Sequence, residues 1–297
     1  MTQPAPTIAE LIRSHMEQLR PAERRVARTL LANYPGAGLS TAAELAELAS
    51  VSAPTVVRFA ARLGLDGYTD LQARLLSELD ARRASPVSRA AAEINGSHPG
   101  DIVRRGGRHR AGLIVESLSA IPPSEVQAAV RALADPARTI LLTGGYFSHL
   151  IARYFSIQLA QIRSRVHYVA EPAHRDVGYL LEASKRHVLV CFDLRRYEQE
   201  ARVTVREARR RGATTIVITD EWLSPAAAQA DIVLPVAVRA EPFDSLTAVL
   251  CLVESLIPAL VSAIGPAAVR RMRAWEQLDA RRHLLDASVL DDAPDEG

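Results

Sequence analysis

Apolar positions recur at helical spacing through the first eighty residues and then give way to short, nearly continuous apolar runs. Ile8, Leu11, Ile12, Met16 and Leu19 share one helical face, and Pro21 restarts a helix that carries Val26, Leu30 and Leu31. Asn33-Tyr34-Pro35-Gly36 stops it. Leu45, Leu48 and Ala49 form the apolar face of a third helix, and Val56, Val57, Phe59, Ala60 and Leu63 that of a fourth. Thr69 opens a further helix reaching about Ala81. Beyond residue 120 the period changes. RTILLT (138–143), RVHYV (165–169), HVLVCF (187–192), TTIVIT (214–219) and DIVLPV (231–236) have the length and Val/Ile content of strands buried on both faces of a parallel sheet. Helical stretches are expected between them at 147–162, 175–183, 198–211 and 225–230. A last apolar helix follows at 245–262, and a further helix is expected at 266–285.

The tightest punctuation lies at 41–63, TAAELAELASVSAPTVVRFAARL. Thr41 with Glu44 three residues on fits a capping box. Ser50-Val51-Ser52 is too short and too small for an ordinary antiparallel hairpin. Ser52 can cap the next helix, and Pro54 falls in its first turn, where a missing N–H costs nothing. The pattern is a helix-turn-helix, whose second helix enters the DNA major groove. Thr55, Arg58 and Arg62 project away from the apolar side, at helical spacing. Arg58 and Thr55 are the expected base or near-base contacts, and Ser52 and Arg62 the expected phosphate contacts, because Arg pairs bidentately with guanine and hydroxyls reach phosphates.

Domain boundaries follow from the change of period. Residues 1–81 read as a helical DNA-binding domain and 82–117 as a basic linker rich in Arg, Pro and Gly. Residues 118–264 read as the strand–helix domain, and 265–297 as a terminal helix with an acidic tail. The net charge of +2 selects no partner class, and every basic residue but Lys185 is arginine. The two cysteines, Cys191 and Cys251, stand alone in apolar runs and read as reduced core residues of a cytoplasmic protein. No secretory signal is expected in MTQPAPTIAE, and no apolar run is expected to reach the ~18 residues of a membrane span. No metal or cofactor is called for.

LRPAERRVARTLLANY (19–34), AELA (43–46), SVSAPTVVRFAARLGLDGYTDLQARL (50–75), GATTIVITD (212–220) and ADIVLPV (230–236) together resemble the RpiR family of bacterial regulators. The resemblance spans roughly residues 7–262. It implies an all-α helix-turn-helix domain followed by an α/β doubly wound five-stranded parallel sheet, the flavodoxin-like sugar isomerase (SIS) domain, with strand order 2-1-3-4-5. In such a sheet, ligands bind beyond the carboxyl ends of the strands where the order reverses. Here the crevice is framed by Gly144-Gly145-Tyr146-Phe147-Ser148 and Asp193-Leu194-Arg195-Arg196-Tyr197. Many SIS domains carry Ser-x-Ser-Gly-x-Thr in the second loop as a phosphate cradle. This chain has Phe192-Asp193-Leu194-Arg195-Arg196-Tyr197 instead, so that site does not transfer.

Three readings of this loop stand. Arg195, Arg196 and Tyr197, facing Gly144, Gly145 and Ser148, clamp a small anionic effector, a sugar phosphate or carboxylate. Or the arginines pair with Glu198 and Glu200. Or the domain only dimerises. An isomerase-like enzyme is the further alternative. Its acid–base candidates are Glu171, His174, Asp176 and Glu241, none at a spacing that demands catalysis. The expected partners are a double-stranded DNA operator, a small anionic effector and a second copy of the chain, as homodimer or homotetramer, with no membrane.

Overall fold

The computed structural model describes residues 7–32, 34–83, 87, 90 and 98–291. The chain divides into two compact units: residues 1–106 with 239–244, and residues 107–238 with 245–297.

The first unit is helical: α1 (Ile8–His15), α2 (Pro21–Ala32), α3 (Gly36–Leu39), α4 (Ala42–Leu48), α5 (Ala53–Arg62) and α6 (Tyr68–Arg83). Its core gathers Ile8, Ile12, Leu19, Val26, Leu30, Leu45, Val56, Phe59, Leu63, Leu71 and Leu75. The capping box forms as the sequence requires. Glu44 N–H donates to Thr41 Oγ1 at 3.2 Å, and Thr41 N–H donates to Glu44 Oε2 at 2.7 Å. These bonds to Thr41 hold the exposed Glu44 carboxyl below its usual pKa. The turn between α4 and α5 passes through Ser50 at φ 52°, the left-handed region. A non-glycine residue bears that at roughly 1–2 kcal/mol. In return, Val51 N–H closes on Ala46 O at 2.9 Å and Ser50 N–H on Glu47 O at 3.0 Å.

Two expected core residues face outward: Leu48 is 62% and Val57 45% exposed. The buried stripe of α5 runs through Thr55, Val56, Phe59 and Ala60, so the face is rotated by about one residue from the expected one.

Residues 99–117, expected as part of a tether, lie in helix α7 (Pro99–Ala120), which is followed by α8 (Pro123–Ala134). In the second unit, β1 (Thr139–Gly144), β2 (Val166–Tyr168), β3 (His187–Asp193), β4 (Thr214–Asp220) and β5 (Ile232–Val236) make one parallel sheet in the order β2-β1-β3-β4-β5. The near-continuous apolar runs reflect burial on both faces. Ile140, Leu142, Val188, Val190, Phe192, Ile216 and Ile218 point into one core; Leu141, Leu189, Cys191 and Val217 point into the other.

Helix α9 (His149–Ile162) contributes Ala152, Phe155 and Leu159 to the first core, as do α8 and α12 (Thr247–Ile264). The short α10 (Val177–Leu181) and α11 (Gln199–Arg210) cover the second. The 225–230 stretch makes only a 3-10 turn at Ala227–Gln229. Helix α13 (Pro266–Asp291) ends the described chain, and the acidic tail from 292 lies outside the described residues.

Contrary to expectation, α12 is by length and composition apolar enough to cross a membrane. Here its apolar side, Val249, Leu252, Val253, Leu256 and Leu260, is a wall of the sheet core. Its Glu254 accepts from the Tyr154 hydroxyl at 2.8 Å.

The rotation of α5 can be read by substitution. Phe59→Ala is expected to destabilise the first unit by about 3–5 kcal/mol, because its ring is fully buried. Val57→Ala should move stability by less than about 1 kcal/mol. Equal losses in urea-monitored unfolding would restore the other face.

Candidate functional site

Helix α5 starts at Ser52, with Pro54 in its first turn. Ser52 occupies the N-cap position, yet its hydroxyl makes no capping bond to the backbone. It lies 2.9 Å from Thr55 Oγ1, and Arg58 Nη2 donates to the same oxygen at 3.0 Å. Thr55 is buried at 7% exposure and therefore does not project as expected. It is the hinge of a Ser52–Thr55–Arg58 chain that fixes an exposed guanidinium on the outer face of the helix. Arg62 is also exposed on this face, with its Nε 3.8 Å from Glu23 Oε2. Glu23 is itself buried and accepts the Arg20 N–H at 2.9 Å. Arg62 thus has a structural partner on α2 that Arg58 does not share. Val57 and Ala61 complete the outer surface with small or apolar groups, the kind that can meet a base methyl or a sugar.

At the sheet, the switch point falls between β1 and β3 as the strand order dictates. Gly144 is the last residue of β1, and a Cβ there would lie 2.9 Å from His149 N, so only glycine lets α9 start this close. Ser148 is consumed by the loop. Its hydroxyl donates to Phe192 O at 2.7 Å and accepts Gly145 N–H at 2.9 Å. The turn leading into α9 is occupied by a side chain: Glu198 Oε1 accepts the Tyr146 N–H at 2.8 Å and lies 2.9 Å from where a Gly145 Cβ would be. The first amides of α9 itself turn back on the chain, His149 N–H to Gly145 O at 2.9 Å and Ile151 N–H to Ser148 O at 3.1 Å.

The arginines go elsewhere. Arg195 lays its guanidinium 4.8 Å from the centre of the Trp222 ring. Arg196 takes φ 70° and is exposed. Tyr197 donates to Asp220 Oδ1 at 2.7 Å. A small cavity of ≈ 40 Å³ opens beside Gly144 and Gly145, lined also by Thr143, Cys191, Glu198, Glu200 and Thr204. Among the described residues lining it there is no arginine or lysine. The expected six-residue cluster therefore separates. Gly144, Gly145 and Ser148 stay at the β1 loop, while Arg195 and Tyr197 engage the end of β4.

The acid–base candidates are tied up as well. Asp176 Oδ2 caps its loop by accepting from Ala170 N–H and Glu171 N–H, both at 3.0 Å. Glu171 pairs with Arg175 at 3.1 Å, and His174 Nε2 lies 3.0 Å from Glu200 Oε1. Glu241 belongs to the other unit.

Sequence reasoning missed Glu198 as the occupant of the loop, and Thr204 and Trp222 altogether. Trp222 carried a legible signal, an aromatic directly after the acid pair Asp220-Glu221 at a strand's carboxyl end. Asp193 closes β3 at 2% exposure. Burial pushes its carboxyl up to about 6 from the usual 3.8, against the hydrogen bond from Ser224. Because the folded-state value is raised, the stability this group confers is present below about pH 4 and lost as pH rises through about 6. The span is about 3 kcal/mol. Asp193→Asn should therefore stabilise the second unit at neutral pH and lose that advantage near pH 4 in scanning calorimetry. A gap between variant and parent that stays flat with pH would contradict the assignment.

Residues 7–82 match the helix-turn-helix domain of the rpiR family, and residues 133–259 match the SIS domain. An uncharacterized HTH-type transcriptional regulator of Providencia stuartii is 24% identical over 230 residues, covering 77% of this chain and 80% of that protein. The regulator HexR of Pseudomonas aeruginosa is 40% identical over 89 residues, 30% of this chain and 31% of its own. The sugar isomerase domain of an RpiR transcription factor from Sphaerobacter thermophilus superposes with TM-score 0.55 at 21% identity, over 58% of this chain and 97% of that one. Vibrio vulnificus NanR, solved in complex with ManNAc-6P, superposes with TM-score 0.52 at 20% identity, over 91% of this chain and 97% of its own. With the recognition helix and the 2-1-3-4-5 sheet both in place, the chain belongs to the RpiR family of helix-turn-helix regulators carrying a SIS domain.

Proposed function

We propose that this regulator reads a near-palindromic operator as a dimer, with Arg58 as its principal base contact, and that its SIS domain senses a small metabolite at the switch point. The observation that carries the DNA reading is the Ser52–Thr55–Arg58 chain. It holds one guanidinium in a fixed orientation on the exposed face of α5. A bidentate arginine needs such orientation to discriminate guanine. One helix-turn-helix contacts only a few base pairs, so two copies spaced by a helical turn supply the specificity. Ser52 and Arg62 serve phosphates in this reading, and the protein works in the cytoplasm, where its operator is.

Metabolite sensing follows from the fold's crevice and from the company the domain keeps; NanR was solved with a sugar phosphate. A ligand that prefers one spacing of the two recognition helices shifts DNA affinity by its differential affinity for the two states. A non-enzymatic role is supported by the structural engagement of Glu171, His174 and Asp176. The arginine clamp for an anion draws no support from the cavity, since neither Arg195 nor Arg196 lines it.

In fluorescence anisotropy with an operator selected from genomic fragments, Arg58→Ala should lose about 1–3 kcal/mol of specific binding. Thr55→Val should lose part of that by releasing the guanidinium. Arg62→Ala should weaken all sequences alike and by less. Wild-type operator affinity in Arg58→Ala would remove it from the interface. Light scattering showing a monomer at micromolar concentration would refute the dimer.

A further inference from the structure

We infer that the outer face of α9 is the seam along which two copies of this chain pair, with the two α9 helices parallel and each Arg153 set against the partner's Tyr154 and the partner's Glu254. The inference rests on the reading of the regulator as a dimer and deepens it by naming the surface.

The first observation is an unpartnered apolar stripe. The inner side of α9 is spent on the sheet core through Ile151, Ala152, Phe155 and Leu159. Its outer side carries Leu150 and Ile157, which are 56% and 50% exposed. Arg153 and Tyr154 stand between them, so the four positions run i, i+3, i+4 and i+7 along one face. Tyr146 and Phe147 prolong the stripe toward the crevice, both exposed and packed edge to face with ring centres 4.9 Å apart. The neighbouring α12 widens it. That helix is highly apolar, yet only a third of it is buried. Leu250, Ile257 and Val261 share the Glu254 side of α12 at helical spacing and are only half-buried. A stable interface covers about 800 Å² per partner. The α9 stripe supplies the centre of such a contact and the α12 side its margin.

The second observation is the charge on the two flanks. Glu254 accepts the Tyr154 hydroxyl at 2.8 Å from α12, so negative charge borders the stripe on the Tyr154 side. Arg153 is exposed on the opposite side. A two-fold axis running along the helices exchanges the flanks, as it exchanges the e and g positions of a parallel coiled coil. Arg153 then meets the partner's Tyr154 and the partner's Glu254, while Leu150 and Ile157 each meet their own counterpart. An antiparallel two-fold would set arginine against arginine and glutamate against glutamate. Charge complementarity therefore selects a second copy as the occupant and fixes its direction. A lipid surface would call for several basic residues around the apolar face, and here one flank is acidic.

The seam also adjoins the crevice. Gly144, at the end of β1, lies directly against the first residues of α9. A ligand at that turn and a partner at the seam bear on the same rigid helix, which gives ligand occupancy a route to the spacing of the two copies.

The test is analytical ultracentrifugation of the full chain and its Arg153→Glu, Glu254→Arg and Ile157→Glu variants, with far-UV circular dichroism to confirm that each is folded. The wild type should sediment as a dimer. Each variant should raise the dimer dissociation constant about tenfold or more, because it sets like charges or a desolvated carboxylate across the seam. An equimolar mixture of Arg153→Glu and Glu254→Arg should recover a dimer near wild-type affinity, since both flanks of the mixed pair are again opposite in charge. Ile157→Glu should be rescued by neither, and Leu150→Glu repeats its test at the other end of the stripe. A dimer that none of these substitutions weakens overturns the seam and leaves the dimer reading standing. Charge variants that weaken the dimer without recovery in the mixture overturn the proposed pairing. A wild type that stays monomeric at micromolar concentration overturns the dimer reading and the seam together.

Discussion

The placement of β1 between β2 and β3 is the constraint on which the sensory half of the molecule depends. The chain leaves β1 toward α9 on one face of the sheet and leaves β3 toward α11 on the other. Right-handed crossovers permit no other arrangement for this strand order. The two departing loops are therefore pulled apart at one point along the sheet's edge, and a crevice opens without any side chain asking for it. Everything specific to this protein is then a matter of what fills that gap. Gly144 brings α9 close, Ser148 ties the loop to Phe192, and Glu198 reaches across from the opposite loop to the amide of Tyr146.

The DNA-binding half rests on a different economy of contacts. An exposed arginine on a helix has several freely rotating bonds, and ordering it on a base loses that freedom at the moment of binding. Thr55 is buried but leaves its hydroxyl to Arg58 and Ser52, so part of the ordering is done before DNA arrives. Arg62 is held by a buried carboxylate on α2 and is tied to the stability of the domain as well as to its surface charge.

Much of the fold was legible because its signals are periodic or local. The capping box at Thr41 and Glu44, the five β-branched runs and the break at Ser50 each follow from chemistry within a few residues. What escaped depends on distant chain. Helix α7 contains Gly106, Gly107 and Gly112 among dense arginines and buries only Leu113 and Ser117, so it shows neither propensity nor a broad apolar face. Ser117 is held there by a bond no local pattern announces, accepting Ala237 N–H at 2.8 Å from beyond the sheet. The orientation of α5 was missed by about one residue. Val57 and Thr55 are both β-branched, and only packing decides which is inside. At the crevice, the arginines were conspicuous in sequence and the glutamate was not. The two sit in one loop after β3, and only the fold decides that Arg195 lies against Trp222 just beyond β4 while Glu198 reaches the amide of Tyr146 after β1.

The unsatisfied groups around the strand ends bear on how such a site would communicate. Asp193 Oδ2, Thr204 Oγ1 and Trp222 Nε1 are buried without hydrogen-bond partners among the described residues, all beyond or beside the carboxyl ends of β3 and β4. Each such group costs about 1–3 kcal/mol relative to a satisfied one. An allosteric coupling is typically of the same size, about 1–3 kcal/mol. A ligand that satisfies even one of these groups in only one conformation therefore supplies enough differential free energy to bias the domain, with no need for a large contact surface.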